Sequence, residues 1–232
     1  MMMKKMKNMR IVGLVVLMVF FMVASALAFN PFGAKKDEGK KVDVDGLSKR
    51  SATLVNNVQT ATISFAEGIV FVQEAVGQEA AAEQLKQSIA NAKEKKGDQN
   101  ATKALVSNIN NASGSLNQID FASKMNKEKA KESLGNSILK IGAGVILDGI
   151  AAKNASDLLQ ESQAVFKQVS FTSAGTIKDV IDVTKFVAQE IPPQASSMQQ
   201  FSAKLIEYAK TNGIPTPSPE AIKKEADSMQ EK

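Results

Sequence analysis

The chain has 232 residues, with 29 Lys and Arg against 24 Asp and Glu for a formal charge of +5, and it contains no Cys, His or Trp. Without cysteine there are no disulfides, no thiolate zinc site and no lipid anchor of the bacterial lipoprotein kind. Without histidine the commonest general base and transition-metal ligand are missing, which excludes Ser-His and Cys-His nucleophiles, haem attachment and the Glu-x-x-His di-iron site of helical bundles.

The amino terminus has the three parts of a secretory signal peptide. Lys4, Lys5, Lys7 and Arg10 precede an apolar run at residues 11–23, and Ala26-Leu27-Ala28 forms an A-x-A cleavage site. The 13 apolar residues of that run fall short of the roughly 20 that span a bilayer, and Pro31 opposes a helix continuing outward. Residues 1–28 therefore read as a cleaved signal peptide, and the protein as exported, periplasmic or secreted. Four of the 29 basic residues lie in this segment, leaving 25 against 24 acids in residues 29–232. With the excess gone, overall basicity gives no ground for a nucleic-acid partner.

Residues 29–45 are rich in Lys, Asp and Gly without an apolar period, and read as a flexible polar leader. A first helix is predicted over residues 47–76, where Leu47, Leu54, Val58, Ala61, Phe65, Ile69, Val72 and Val76 form one apolar stripe. Asp45 can cap its start and Gly77 can end it. A second helix is predicted over 78–95, with Ala82, Leu85, Ile89 and Ala92 inward. A third covers 99–118, with Leu105, Ile109, Ala112 and Leu116 in step; Asn110-Asn111 and Ser113-Gly114-Ser115 weaken it, because such residues compete for backbone bonds or lack a side chain.

The fourth predicted helix, 123–169, is the longest at 47 residues, none of them proline. A fifth is expected over 173–190 and is stopped by Pro192-Pro193. A sixth covers 194–211, with Met198, Phe201, Leu205 and Tyr208 inward. Pro215, Pro217 and Pro219 make a stiff spacer, and Ser218-Pro219-Glu220 opens a short polar helix. No strand pattern appears. The fold class is all-α: an elongated, coiled-coil-like bundle of four to six helices over residues 46–213, followed by the spacer and short helix at 214–232.

The most unusual segment is 135–152 (GNSILKIGAGVILDGIAA), which holds four glycines and only two charges, Lys140 and Asp148. Each interior glycine costs about 1 kcal/mol relative to alanine, so something should compensate. One reading is a central buried helix whose glycines let neighbours approach the backbone. The other makes Gly135, Ile138, Ile141, Gly142, Gly144, Val145, Ile146, Asp148 and Gly149 a segment that enters a membrane or accepts an apolar ligand. Gly142-x-Gly144 is no nucleotide fingerprint, since no strand precedes it and no third glycine follows in step. Asp148 lies close to the buried stripe, and a buried carboxylate needs a partner; the expectation is that the stripe rotates there and Asp148 faces water or a lysine. Asp43-Val44-Asp45-Gly46 resembles part of a calcium loop, but Lys41 and Ala52 stand where an EF-hand needs ligands.

These observations point to a non-enzymatic exported bundle without cofactor or metal, acting by binding, scaffolding or assembly with a protein partner or with itself. No small-molecule substrate is expected. The alternatives are a membrane-active protein, like helical pore-formers in its long amphipathic helices and apolar Gly-rich segment, or a carrier of an apolar ligand.

Overall fold

The computed structural model describes residues 43–169 and 171–230; the signal peptide and nearly all of the leader expected from the sequence lie outside them. The described residues form seven α-helices and no strand. They are α1 (Val44–Ala75), α2 (Glu79–Glu94), α3 (Gln99–Asn117), the single turn α4 (Phe121–Lys124), α5 (Lys127–Phe166), α6 (Phe171–Thr211) and α7 (Pro219–Gln230).

α1 begins three residues earlier than the stripe implies, because Asp43, not Asp45, is its cap: Asp43 Oδ1 accepts from the Gly46 amide at 2.8 Å. Asp43 is thereby spent on a helix terminus, and Asp45 sits in the first turn where the dipole favours an acid. The helix ends as the sequence predicts. Gly77 takes φ +79°, and the Gln78 and Gly77 amides return to the carbonyls of Gln73 and Glu74, which completes a Schellman motif.

Two boundaries differ from expectation. The fourth helix does not run from 123; the chain breaks at Met125-Asn126. Asn126 Oδ1 accepts from the amides of Glu128 and Lys129 and caps α5, while the Asn126 amide donates to the Ala75 carbonyl at 2.8 Å. A tertiary hydrogen bond to the end of α1, together with burial of Phe121 and Met125, outweighs local helix propensity. The second difference is larger: the predicted fifth and sixth helices are one helix, α6, which passes through Pro192 and Pro193. Two prolines remove the amides that would bond the carbonyls of Ala188 and Gln189. The helix survives because Val187, Ile191, Gln194 and Met198 on either side of the break are all buried on one stripe. Pro193 and Gln189 face solvent, so one of the released carbonyls belongs to a residue on the wet side.

The core consists of two main clusters. One joins the second half of α1 to α2, α3, α4, the first half of α5 and the second half of α6. The other joins the first half of α1 to Val106 of α3, the second half of α5 and the first half of α6. This crossed membership makes α5 antiparallel to both α1 and α6. α7 covers α5 from outside through Ala226 and Met229, which pack with Ala143, Ile146 and Leu147.

Replacing Pro192 and Pro193 together by alanine should raise the unfolding free energy by about 2–4 kcal/mol. The gain stays below the ~3 kcal/mol per interior proline because alanine frees the unfolded chain. Urea titration followed by circular dichroism reads it directly. A loss of stability would show that α6 requires the break.

Candidate functional site

Segment 135–152 lies in the middle of α5. Ile138, Ile141, Gly142, Ala143, Gly144, Val145, Leu147 and Asp148 are buried, Gly135, Ile146 and Gly149 are half-buried, and only Ile150 among the large apolar side chains is exposed. The compensation the glycines require is visible at two of them. A Cβ on Gly144 would stand 2.7 Å from the Phe65 ring and 3.0 Å from the Ala61 carbonyl oxygen. One on Gly142 would stand 2.8 Å from Ile222 of α7. Gly135 is different, since its nearest neighbour would be the Pro215 carbonyl at an ordinary 3.6 Å.

α1 answers with a glycine of its own. A Cβ on Gly68 would lie 2.6 Å from Ile141 Cγ1 and 3.0 Å from the Ser137 carbonyl oxygen. Two hydroxyls then cross the interface in opposite senses: Ser137 Oγ donates to the Gly68 carbonyl, and Ser64 Oγ donates to the Lys140 carbonyl, both at 2.7 Å. Sequence reasoning missed Gly68, Ser64 and Ser137. Their signal was the spacing of small residues, 61-64-68 on α1 facing 137-144 on α5, which brings small side chains onto one face of each helix. Lys140 closes the same crossing on its wet side, 3.3 Å from Glu67 and 2.9 Å from Glu225. Partial burial works against its charge, but the Glu225 hydrogen bond and the field of both carboxylates hold its pKa above the usual lysine value.

Asp148 departs from expectation. It faces neither water nor a lysine: it is fully buried, and neither carboxyl oxygen has a hydrogen-bond partner among the described residues. Burial alone pushes its pKa well above the usual 3.8, because desolvation disfavours the anion.

On α5, Asp148 falls between Val145 of one core cluster and Ala151 of the other. On α6, Gln194 falls between Ile191 and Met198 in the same way, and both polar atoms of its side chain are also unpaired. On α1 the corresponding place, between Val58 and Phe65, holds Thr62, whose hydroxyl donates to the Val58 carbonyl at 2.7 Å. A polar layer thus crosses the bundle where the two clusters meet. All four polar atoms of these two side chains lack a hydrogen-bond partner among the described residues, so Asp148 and Gln194 do not bond each other.

Among the described residues no group of three or more Asp and Glu is arranged to hold a metal ion. Set against known proteins, the chain matches no family model, no curated protein and no solved structure.

Gly144→Ala should destabilise the protein by about 1–3 kcal/mol through overpacking against Phe65, whereas Gly135→Ala should stabilise it by about 0.5–1 kcal/mol. Thermal unfolding of the pair separates close packing from propensity. For Asp148 the folded pKa is raised, so its contribution is most favourable below the unfolded pKa near 3.8 and is lost as pH rises toward the folded value. Asp148→Asn should remove this decline and raise stability at neutral pH relative to the parent. Equal pH profiles of urea midpoint for parent and variant would contradict the assignment.

Proposed function

We propose that the protein is an exported, non-catalytic helical bundle that acts by binding, scaffolding or assembly, in the periplasm or outside the cell. The observation that carries this reading is the engagement of the apolar Gly-rich segment with α1, α6 and α7. The chain's most apolar stretch is spent on its own interior, and what remains for interaction is a surface of mixed charge and many amides. Export rests on the basic start, apolar run and Ala26-Leu27-Ala28 of residues 1–28. The absence of His and Cys from the sequence argues against most catalytic constellations.

A second reading has one observation in its favour. α5 is long and apolar enough to cross a membrane by length and composition, although 61% of its most apolar window is buried within the bundle. Insertion would require α5 to leave its partners, breaking both Ser-carbonyl bonds and the Lys140 ion pairs.

Cross-linking in the envelope of producing cells, with light scattering on the purified protein, should reveal a protein partner or a defined oligomer. A monomer that captures nothing would overturn the proposal. Liposomes loaded with dye should stay sealed; leakage that Ile146→Asp abolishes while circular dichroism is unchanged would instead establish the membrane reading.

A further inference from the structure

α7 belongs to neither main core cluster. It packs in a small third one with Ala61 of α1 and with Ala143 and Leu147 of α5, and Ala226 is its one fully buried residue. Ile222, Glu225 and Met229 on the same side are half-buried, at the spacing of a single helix face. The attachment to the bundle is equally spare. α6 ends at Thr211, Gly213 turns the chain at φ +67°, and Ile214 is anchored in the first main cluster. From there residues 215–218 reach α7 without helical structure, and Pro215 and Pro217 have no amide with which to bond the bundle.

Two contacts seat α7 on α5. Ile222 occupies the space left by the missing side chain of Gly142, where a Cβ would stand 2.8 Å from it. Glu225 Oε1 accepts from Lys140 Nζ at 2.9 Å. Lys140 is shared, because Glu67 of α1 stands 3.3 Å from it as well. When α7 lifts, Glu225 passes into water and Lys140 keeps Glu67, so departure strands no charge in a half-buried place. An ion pair this accessible holds weakly, and one buried alanine with two half-buried apolar side chains adds little more. The unit that leaves is 12 residues long, a length at which an isolated helix is marginal in water. Opening α7 therefore costs far less than opening either main cluster. It uncovers Gly142, Ala143, Ile146 and Leu147, an apolar strip that continues one turn further to the exposed Ile150.

We propose that α7 is a latch, which opens as a unit about residues 215–218 while both main clusters stay folded and so uncovers the apolar strip of α5. Ile214 remains anchored throughout, and the open helix stays tethered within reach of its seat. The bundle thereby presents or withholds its Gly-rich face without rearranging its interior.

Native-state hydrogen exchange of the full-length protein, read by mass spectrometry, tests this. In the parent, the amides of residues 219–230 should be protected, should exchange together, and should do so roughly a hundredfold or more faster than those of α1 and the middle of α5. Ile222→Asp, at a half-buried position outside both main clusters, should strip α7 of its protection. It should leave α1 and α5 within about twofold of the parent and raise the fluorescence of the dye ANS, which reports exposed apolar surface. Ala226→Asp should do the same from the buried position on that face. Exchange of α7 as slow as that of α5 in the parent would overturn the proposal. So would an α7 without protection in the parent, loss of protection in α1 and α5 in step with α7 in both variants, or release of α7 with no gain in ANS fluorescence.

Discussion

The structure depends on how closely α1 and α5 approach. Gly68 and Gly144 are reciprocal: each removes a side chain where the other helix presents Ile141 or Phe65. Ser64 and Ser137 then reach carbonyls on the opposite helix. Side-chain packing alone tolerates small slips, but a hydroxyl aimed at one carbonyl does not, so these four residues set the register of the two helices. The rest is hung on that pair. The α2–α3 hairpin covers one side of α1, α6 lies along α5, and α7 closes over Gly142 through Ile222. Helices this close also gain dispersion contacts along both backbones, which is how interior glycines repay their loss of propensity.

Much of this was legible in the sequence, and what was not has physical causes. The stripes of α1, α2 and α3 gave nearly the right boundaries, because there the apolar period and the positive-φ turn glycines at 77 and 97 agree. The α4–α5 break was hidden because residues 123–127 carry no proline or glycine; Asn126 becomes a cap through its bond to Ala75, 51 positions back. Pro192-Pro193 misled in the other direction. Local chemistry predicts a stop, and the tertiary stripe from Val187 to Met198 overrules it. Phe121 and Phe201, edge to face at 6.2 Å, show the same priority of distant over local contacts.

The Gly-rich segment was conspicuous in the sequence, and its reading as a buried helix closely approached by its neighbours matches α5, but the partner helix could not be named from spacing on α5 alone. Asp148 was harder still. A single acid on an apolar face is usually turned to solvent, and periodicity over a 40-residue helix drifts enough to allow it. Asp148 is buried where α5 passes from one core cluster to the other, between Val145 and Ala151. The bundle core is therefore two hydrophobic bodies with a thin polar seam between them. The seam costs stability, because Asp148 and Gln194 are buried there without hydrogen-bond partners among the described residues.

The α1–α5 crossing has a consequence for the order in which the chain can assemble. Ser64 and its acceptor at Lys140 are 76 positions apart, and Gly68 and Ser137 are 69 apart. A ribosome adding about 5–20 residues per second leaves α1 without its principal neighbour for roughly 4–15 seconds. During that interval only the α2–α3 hairpin, made directly afterwards, can shelter α1. The hairpin is thus the first partner that α1 meets in chain order, and the crossing is completed only when the glycines of α5 arrive.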